Sequence, residues 1–390
     1  MPMGDSIHVA LTLTPRGRGS FGEQVKEVLL AVETVLKNQR EEMAVAIQTV
    51  FLANPGDWKK CEQIFSACYG QRVPVTNFVF QPPSADAALT MEVWAVGGNS
   101  VSVEHFGPHA LVVSHDGLRW IYCAGITPAA PSKGVFEQTS NTLQQMRAAL
   151  DLAGSRFEHV LKTWFYLGGI TQPEAGTYRY EELNRARTDF YRDIPFCSSL
   201  LPQNAPQMAY PSSTGIGMAG TGLVASCLSL ETRRKDVFLL PLENPLQTPA
   251  YAYKPSYSNS MESPKFSRAM ALVLGGHVTT WISGTASIVN SESRYLRDVE
   301  KQTEQTIDNI EKLISPENFA AHGVQIARAS LHDLVTLRVY IKRPEYYARV
   351  KAICERRFGP VPTVYTVADI CRPELLVEVE GVAFSHYSPE

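Results

Sequence analysis

One strand–turn–helix pattern recurs three times along the chain. The three segments span residues 49–70, 163–191 and 337–359. Each begins with the β-branched and aromatic residues typical of a strand, passes through a turn, and continues with apolar residues at helical spacing. Such internal repetition indicates that the chain folds as a series of similar α/β units rather than around one core.

Each of these segments has matching neighbours, which predicts the order strand, helix, strand, helix, strand, strand in every copy. This order builds a sheet with two helices on one face and leaves the other face free to meet the other copies. The first strands cover residues 7–14, 118–128 and 277–289, and the helices after them cover residues 22–38, 138–154 and 298–315. The closing strands cover residues 88–98, 221–231 and 374–384.

This order of elements resembles the YjgF/RidA-like fold, a chorismate-mutase-like α+β module that assembles as a trimer with ligand clefts between subunits. The resemblance implies an α+β protein whose three modules form an internal pseudo-trimer. The modules would span residues 1–105, 106–240 and 241–390. Residues 99–117 would link the first two modules. The Pro- and Tyr-rich stretch 240–268 would link the last two, be ordered, and cover a cleft.

The composition of the chain excludes several classes of partner. The net charge is −3 and no basic block occurs, so we expect no nucleic acid. No apolar run is long enough for a membrane span, and no secretory signal is evident at the N-terminus. The 7 cysteines are odd in number and form no CxxC pair, which favours free thiols in the cytoplasm.

We therefore expect a small-molecule substrate, no cofactor and no metal. His105, His109 and His115 lack carboxylates or thiols at ligand spacing and are interpreted as ordinary histidines. The chain would be either a monomer with internal pseudo-threefold symmetry or a homo-oligomer.

The closing strand of the third copy, ELLVEVEGVAF, carries the candidate catalytic group. Strand alternation places Glu378 and Glu380 on one face, with Val377, Val379 and Gly381 on the other. If this face lines a cleft, desolvation would raise the pKa of Glu378 and make it a usable proton donor near neutral pH. The alternative is a pair of solvated carboxylates on an edge strand.

Residues 211–385 resemble the chorismatases along nearly their whole length, and the second copy extends the match to about residue 118. In that family a glutamate at the position of Glu378 is the general acid. The resemblance implies that Glu378 protonates the enolpyruvyl group of chorismate and that pyruvate is released. The matching pieces include STGIGMAGTG (213–222), LENP (242–245), FSRAM (266–270), WISGTASIV (281–289), LRVYIKRPE (337–345) and DICRPELLVEVEG (369–381).

Two positions vary in the family with the product. Hydrolysing members have alanine at both positions, whereas members that form 3-hydroxybenzoate have glycine and cysteine. This chain has Gly284 and Cys371, which implies the second branch, with Gly284 making room for rearrangement of the ring and Cys371 relaying a proton. Taken singly, Gly284 could instead serve close strand packing and Cys371 could be a small buried residue.

A substrate with two carboxylates needs cations, and arginine binds a carboxylate with two hydrogen bonds. Arg187 and Arg268 match arginines of the family and are the first candidates. Gly215 and Gly217 are interpreted as part of a loop whose N–H groups approach an anion, with a plain tight turn as the alternative. Further candidates for substrate binding are Arg338, Tyr340, Lys342 and Arg372.

The chain departs from the chorismatases at two places. The Tyr-Gly-Pro-Arg stretch of that family is replaced by YSNSMESPKF (257–266), where Lys265 could substitute for the missing arginine, and a Gly-His pair is replaced by Asn290 and Ser291. Both departures concern the substrate more than the fold.

The sequence is also compatible with two other functions. A YjgF/RidA-type imine deaminase would need an arginine about fifteen residues before the strand glutamate, but Thr363 and Asn77 stand there in copies three and one. Copy one keeps Glu92, while copy two has Ser226 in place of the glutamate. The other alternative is a non-catalytic small-molecule-binding protein of a biosynthetic pathway.

Overall fold

The computed structural model describes residues 2–3, 6–130, 133–202, 209–253 and 262–387. The chain forms three main β-sheets, each carrying its helices on one face. No helix in these ranges is long and apolar enough to cross a lipid bilayer.

The first sheet has the strand order β1-β2-β5-β3-β4, and its helices pack on it through a core that includes Val28, Phe65 and Met91. Helix α1 begins at a capping box in which Ser20 and Glu23 satisfy the free N–H groups of the first turn. The strands are β1 (Pro2–Met3), β2 (Ser6–Leu13), β3 (Met43–Leu52), β4 (Val75–Val79) and β5 (Leu89–Gly97), and the helices are α1 (Phe21–Lys37) and α2 (Trp58–Tyr69).

The second sheet has the order β12-β9-β13-β8-β7-β6. The prediction that residues 99–117 only link two modules was wrong, because β6 and β7 form a hairpin that extends this sheet beside β8. Its strands are β6 (Ser102–Phe106), β7 (Ala110–His115), β8 (Leu118–Ile126), β9 (Val160–Gly168), β12 (Ser212–Met218) and β13 (Leu223–Thr232). Its helices are α3 (Val135–Leu152) and α4 (Arg179–Tyr191), and the short pair β10 (Pro173–Glu174) and β11 (Thr177–Tyr178) lies between β9 and α4.

The third sheet has the order β14-β15-β16-β22-β20-β21, with β19 paired to β22. Helix α5 is capped by the Asp298 side chain and buries Ile307 and Ile310 against the sheet. Each such side chain contributes about 1.5–3 kcal/mol when fully buried. The strands are β14 (Val237–Leu242), β15 (Ala269–Leu274), β16 (His277–Ala286), β17 (Ile288–Val289), β18 (Glu292–Ser293), β19 (Ile326–Arg328), β20 (Leu334–Ile341), β21 (Thr363–Val367) and β22 (Val377–Tyr387), and the helices are α5 (Val299–Leu313), α6 (Pro316–Ala321) and α7 (Tyr347–Phe358).

The three sheets share one strand arrangement. In each, the first strand pairs with the last, the last pairs with the second, and the second pairs in parallel with the third. The corresponding orders are β2-β5-β3-β4, β8-β13-β9-β12 and β16-β22-β20-β21. The predicted order of strands and helices is therefore confirmed in all three copies.

The faces opposite the helices meet in a common core. Ile47 of the first sheet, Leu228 of the second and Val382 of the third belong to one hydrophobic cluster. A cavity lies where the three sheets meet, and its lining includes four tryptophans, Trp94, Trp120, Trp164 and Trp281. Sheet alternation explains this division, because each strand sends every second side chain toward the helices and the others toward the shared core.

The expectation that residues 240–268 are ordered and cover a cleft concerns in part residues 254–261, which lie outside the described ranges.

Candidate active site

Strand β22 carries its two glutamates on the inward face, as predicted. Val377 and Val379 pack with the helices of the third unit. Glu378 and Glu380 point the other way, and each is only 3% exposed. The alternative of solvated carboxylates on an edge strand is wrong, because β22 lies between β16 and β20.

A β-bulge brings Gly284 against the Glu378 carboxyl. The pairing of β16 with β22 shifts between Ile282 and Thr285, which turns the backbone of Gly284 toward the acid. A Cβ atom at Gly284 would lie 2.1 Å from Glu378 Oε1 and 3.2 Å from Thr214 Cγ2. Only a residue without a side chain leaves the carboxyl where it is.

The environment of Glu378 favours its protonated form. Burial, and then the charge of Glu380, raise the pKa of Glu378 to about 8, against opposing effects of Lys162 and Arg268. A carboxyl with this pKa carries its proton at neutral pH and can donate it.

Glu380, two residues along the strand, is held in its ionised form by contacts with residues of the second and third sheets. Burial disfavours its charge, but Lys162 and Arg338 outweigh burial and hold the pKa of Glu380 down at about 2. Its Oε2 atom accepts hydrogen bonds from Thr214 Oγ1 at 2.5 Å and Trp164 Nε1 at 2.9 Å. Lys162 Nζ lies 3.2 Å from the same oxygen.

The network extends into the first sheet through Arg338. Its Nη2 donates to Glu92 Oε1 at 2.6 Å, and its Nη1 donates to Tyr166 OH at 2.8 Å and lies 3.3 Å from Glu380 Oε1. Tyr340 OH donates to the same Glu380 oxygen at 2.5 Å. Arg338 and Tyr340 were predicted to bind substrate; their donors serve buried protein acceptors here, and substrate binding by them stays a prediction.

Arg187 and Arg268 converge on one aromatic ring, and Arg268 lies near enough to Glu378 to lower the pKa of its carboxyl. Their Cζ atoms lie 5.7 and 5.4 Å from the centre of the Phe266 ring. Both side chains are buried, and among the described residues the Nε atom of each has no hydrogen-bond partner. Neither is ion-paired with a carboxylate in the described ranges, so both can receive an anion.

Arg372 joins this group through Tyr253. The Tyr253 ring lies between the two guanidinium groups, 5.7 Å from Arg268 Cζ and 5.6 Å from Arg372 Cζ. Arg372 Nη1 also donates to Ser291 O at 2.9 Å. Three cations and one protonatable carboxyl, contributed by the second and third units, thus lie close to one another.

Comparisons with known proteins show the family of the chain. No family model matches the chain. The chain is 33% identical over 299 residues to the 3-hydroxybenzoate synthase of Streptomyces hygroscopicus, which covers 75% of this chain and 80% of that protein. It is 32% identical over 281 residues to the chorismatase of Streptomyces rapamycinicus, covering 69% of this chain and 78% of that protein.

The chain belongs to the chorismatase family. A solved chorismatase structure covers 98% of this chain and 100% of its own, with a TM-score of 0.67 and 21% identity, and so shares the fold.

In this chorismatase-family chain, Cys371 lies near the acid. Burial, followed by the charge of Glu378, raises the pKa of the Cys371 thiol to about 12. The thiol is therefore protonated at neutral pH and is not a nucleophile. Its predicted role as a proton relay stays a prediction.

The loop predicted at Gly215 and Gly217 was wrong, because both glycines lie within strand β12. Tyr180 packs on Gly215, where a Cβ atom would lie 2.9 Å from its ring. The Gly217 N–H donates to Asp369 O at 2.8 Å and is not free for an anion. Glycine is needed here for close approach of neighbouring chain segments.

Two cations of the sequence analysis have other partners. Lys342 Nζ is ion-paired with Asp369 Oδ1 at 2.5 Å. Lys265 Nζ donates to Ser263 Oγ at 2.9 Å, and its pKa is lowered by burial and by the nearby charge of Arg187. Lys265 thus lies beside one of the anion-binding candidates.

The equivalence assumed among the strand glutamates needs correction. Across the ladder to the second strand of each sheet, Glu92 pairs with Thr49, Ser226 with Trp164 and Glu380 with Arg338. Glu92 and Ser226 therefore correspond to Glu380. The residues that correspond to Glu378 are Thr90 and Val224.

Sequence reasoning missed Lys162, the buried ammonium that pairs with Glu380. Its signal was a charged residue at the start of an otherwise apolar strand, LKTWFYLG, where a lysine is rarely fully buried unless it is paired. It also missed Glu243, which lies beside Arg268.

Proposed function

We propose that this protein releases pyruvate from chorismate and forms 3-hydroxybenzoate, with Glu378 as the general acid. The observation that carries the proposal is the buried Glu378 carboxyl, whose pKa of about 8 keeps it protonated, close to buried arginines that form no ion pair with a carboxylate in the described ranges. Family membership supports the same substrate, since the curated relatives are named chorismatase and 3-hydroxybenzoate synthase.

In the proposed step, the π electrons of the enolpyruvyl double bond take the proton of Glu378. The methylene carbon becomes a methyl group, and the adjacent carbon becomes an oxocarbenium centre. The carboxylate left on Glu378 faces this positive charge and stabilises it. Attack of the ring hydroxyl on this carbon, with loss of the hydroxyl proton, gives a cyclic ketal. Pyruvate, which keeps the attacking oxygen, is freed when the original ether bond to its carbon and the bond between that oxygen and the ring both break, and loss of the adjacent ring proton leaves the ring aromatic. Attack of water instead gives a hemiketal that collapses to pyruvate and the diene diol.

The two carboxylates of chorismate would be held by Arg187 and Arg268, with Arg372 near the second. Both leading arginines are buried, so each charged hydrogen bond is made away from bulk water and is stronger than at the surface. A dianion also neutralises positive charge that the described protein groups leave unpaired.

Gly284 and Cys371, at the two positions that vary with the product, support the aromatising branch. Pyruvate and 3-hydroxybenzoate together contain the atoms of chorismate, so this branch consumes no net water, whereas hydrolysis to a diene diol consumes one. Because Gly284 has no side chain, the Glu378 carboxyl can lie against the backbone of β16, which would leave the space on its other side for the ring. Cys371 would return a proton during rearrangement.

We also propose that three YjgF/RidA-like units form an internal pseudo-trimer. The boundaries expected at residues 105/106 and 240/241 then move to before β6 (Ser102–Phe106) and before β14 (Val237–Leu242), because these strands pair with the second and third sheets. The shared strand order and the core common to all three sheets support this arrangement. The inward faces of the three sheets are already covered within one chain. The mass measured by sedimentation equilibrium on the purified chain should therefore show no trimer held together through these faces. A trimer that dissociates into partly unfolded single chains would contradict it.

The test of function is incubation with chorismate, with pyruvate detected by coupling to lactate dehydrogenase. Glu378→Gln keeps the shape but cannot donate a proton, so the rate should fall by about 100- to 10,000-fold. Glu345→Gln, at a side chain that is 60% exposed, is the matched control and should keep wild-type activity. Chromatography of the aromatic product separates 3-hydroxybenzoate from its isomers and from the diene diol. Folded wild-type protein that releases no pyruvate would refute the proposal.

A further inference from the structure

A row of functional side chains crosses one end of the third sheet on its inward face. The ladder between β14 and β15 ends at the pair of Leu242 and Ala269, which face the helices. The next residues, Glu243 and Arg268, are therefore cross-strand neighbours that face inward. Ser283 N donates to Arg268 O at 2.9 Å, which continues the row to the bulge beside Glu378.

Hydrogen bonds hold the backbone of Glu243 in place, but the carboxyl group has no comparable contacts. Its N–H donates to His322 Nε2 at 3.2 Å, and its carbonyl accepts from Asn318 Nδ2 at 3.0 Å. Both carboxyl oxygens are shielded from water and make no hydrogen bond of regular geometry within the described ranges, although the Arg268 N–H and the Ser267 hydroxyl lie near enough to lower the pKa of this carboxyl. Buried acceptors are seldom left unpaired in native proteins, so this pair indicates a missing donor.

The neighbouring Arg268 has a hydrogen-bond donor without an acceptor. Its Nη2 serves Thr248 O and Tyr253 OH, but its Nε–H has no acceptor among the described residues. One ligand that presents an anionic group to Arg268 and a hydroxyl donor to Glu243 would satisfy both. Burial raises the pKa of Glu243 to about 7 despite the nearby guanidinium. The ionised carboxylate is therefore disfavoured at this position unless a donor forms a hydrogen bond to it.

We propose that Glu243 is a substrate-binding residue that accepts a hydrogen bond from the ring hydroxyl of a cyclic hydroxy-carboxylate. This inference rests on the proposed function, under which the ligand is chorismate with its single ring hydroxyl. Arg268 then lies near two carboxyl groups with different roles. Glu378 donates a proton to the substrate, and Glu243 accepts a hydrogen bond from its ring hydroxyl.

The experiment compares binding of two ligands, chorismate and its 4-deoxy analogue, by calorimetry. Glu378→Gln is the background, so that the ligand is not consumed. Adding Glu243→Ala should weaken chorismate binding roughly 10- to 100-fold, as expected for loss of a buried hydrogen bond to a carboxyl group, and should change binding of the deoxy analogue less than about threefold. Glu317→Gln, a fully exposed acid of α6, is the control and should change neither.

Glu243→Gln keeps the side-chain volume and one acceptor oxygen, so it should show the same preference in smaller measure even if the alanine variant folds poorly. Equal loss for both ligands would mean that Glu243 only pairs with Arg268, and no loss for either would mean that it has no role. Both results overturn this inference and leave pyruvate release by the wild type untouched. Failure of the Glu378→Gln protein to bind chorismate would overturn the inference together with the proposed substrate.

Discussion

Replacing Glu380 with glutamine should make Glu378 a stronger acid and move the pH dependence of the enzyme. The charge of Glu380 is, after burial, the largest cause that raises the pKa of Glu378. Glutamine keeps the size of the side chain and removes that charge, while Lys162 and Arg268 still attract the ionised form of Glu378.

The size of the effect can be worked from strand geometry. Residues two apart on one face of a strand are separated by about 6.6 Å. With an effective dielectric constant of about 20, two unit charges at that distance interact by about 2.5 kcal/mol, which corresponds to about 1.8 pH units. We therefore expect the pKa of Glu378 to fall from about 8 toward about 6 in the variant.

The sign follows from the role of a proton donor. Glu378 is active while protonated, so kcat/KM should be level below its pKa and fall as pH rises above it. Pyruvate release measured between about pH 5 and pH 9 should lose its alkaline limb one to two units earlier in Glu380→Gln. Near neutral pH the variant would be several-fold slower, while near pH 5 it would approach the wild type.

Tyr340→Phe is the matched control for this experiment. It removes the 2.5 Å hydrogen bond to Glu380 but leaves the glutamate charge in place. Its alkaline limb should stay near the wild-type position. If Glu380→Gln leaves that limb unmoved or shifts it upward, while circular dichroism shows a folded protein, the electrostatic account of Glu378 is refuted.

Three further outcomes follow from the structure. Gly284→Ala places a Cβ atom 2.1 Å from Glu378 Oε1, so the carboxyl must shift; because hydrolysing relatives carry alanine here, pyruvate release should persist while chromatography shows less 3-hydroxybenzoate and more diene diol. Gly276→Ala, whose Cβ would meet nothing closer than 3.6 Å, should change neither. Arg338→Met leaves buried carboxylates unpaired and should lower the free energy of unfolding by about 3–5 kcal/mol in urea titrations, against about 0.5 kcal/mol or less for the exposed Arg343→Met. Glu378→Gln should raise the melting temperature more at pH 8 than at pH 5. The pKa of Glu378 is raised from 4.5 to about 8 in the folded protein, so between these pH values the folded wild type holds a proton that the unfolded chain loses. The stability of the wild type therefore falls as pH rises through this window, and the glutamine variant avoids that loss. An equal gain at both pH values would contradict this linkage.

The pattern of the sequence was sufficient for the architecture and for the inward face of β22. Period-two alternation separated Glu378 and Glu380 from Val377 and Val379, and burial of the sheet on both sides confirmed it. Alternation could not set the register among copies. A slip of two residues keeps every side chain on the same face, so Glu92 matched Glu378 as well as it matched Glu380.

Contacts between units were beyond the reach of local patterns. Lys162, Arg338 and Glu92 come from three different sheets and pair only after the units dock. The glycines of β12 were mistaken for a loop because glycine is common in turns, whereas here the ring of Tyr180 and the backbone of Asp369 require its small size.

Placing four of the chain's 5 tryptophans around the cavity where the sheets meet gives the protein an intrinsic optical reporter. The fifth, Trp58, lies at the start of α2 on the outside of the first unit. Separation of the units would wet the indoles of the cavity and shift their emission to longer wavelength even while each sheet stays folded. Fluorescence and far-ultraviolet dichroism recorded on one sample can therefore resolve undocking from unfolding without any label.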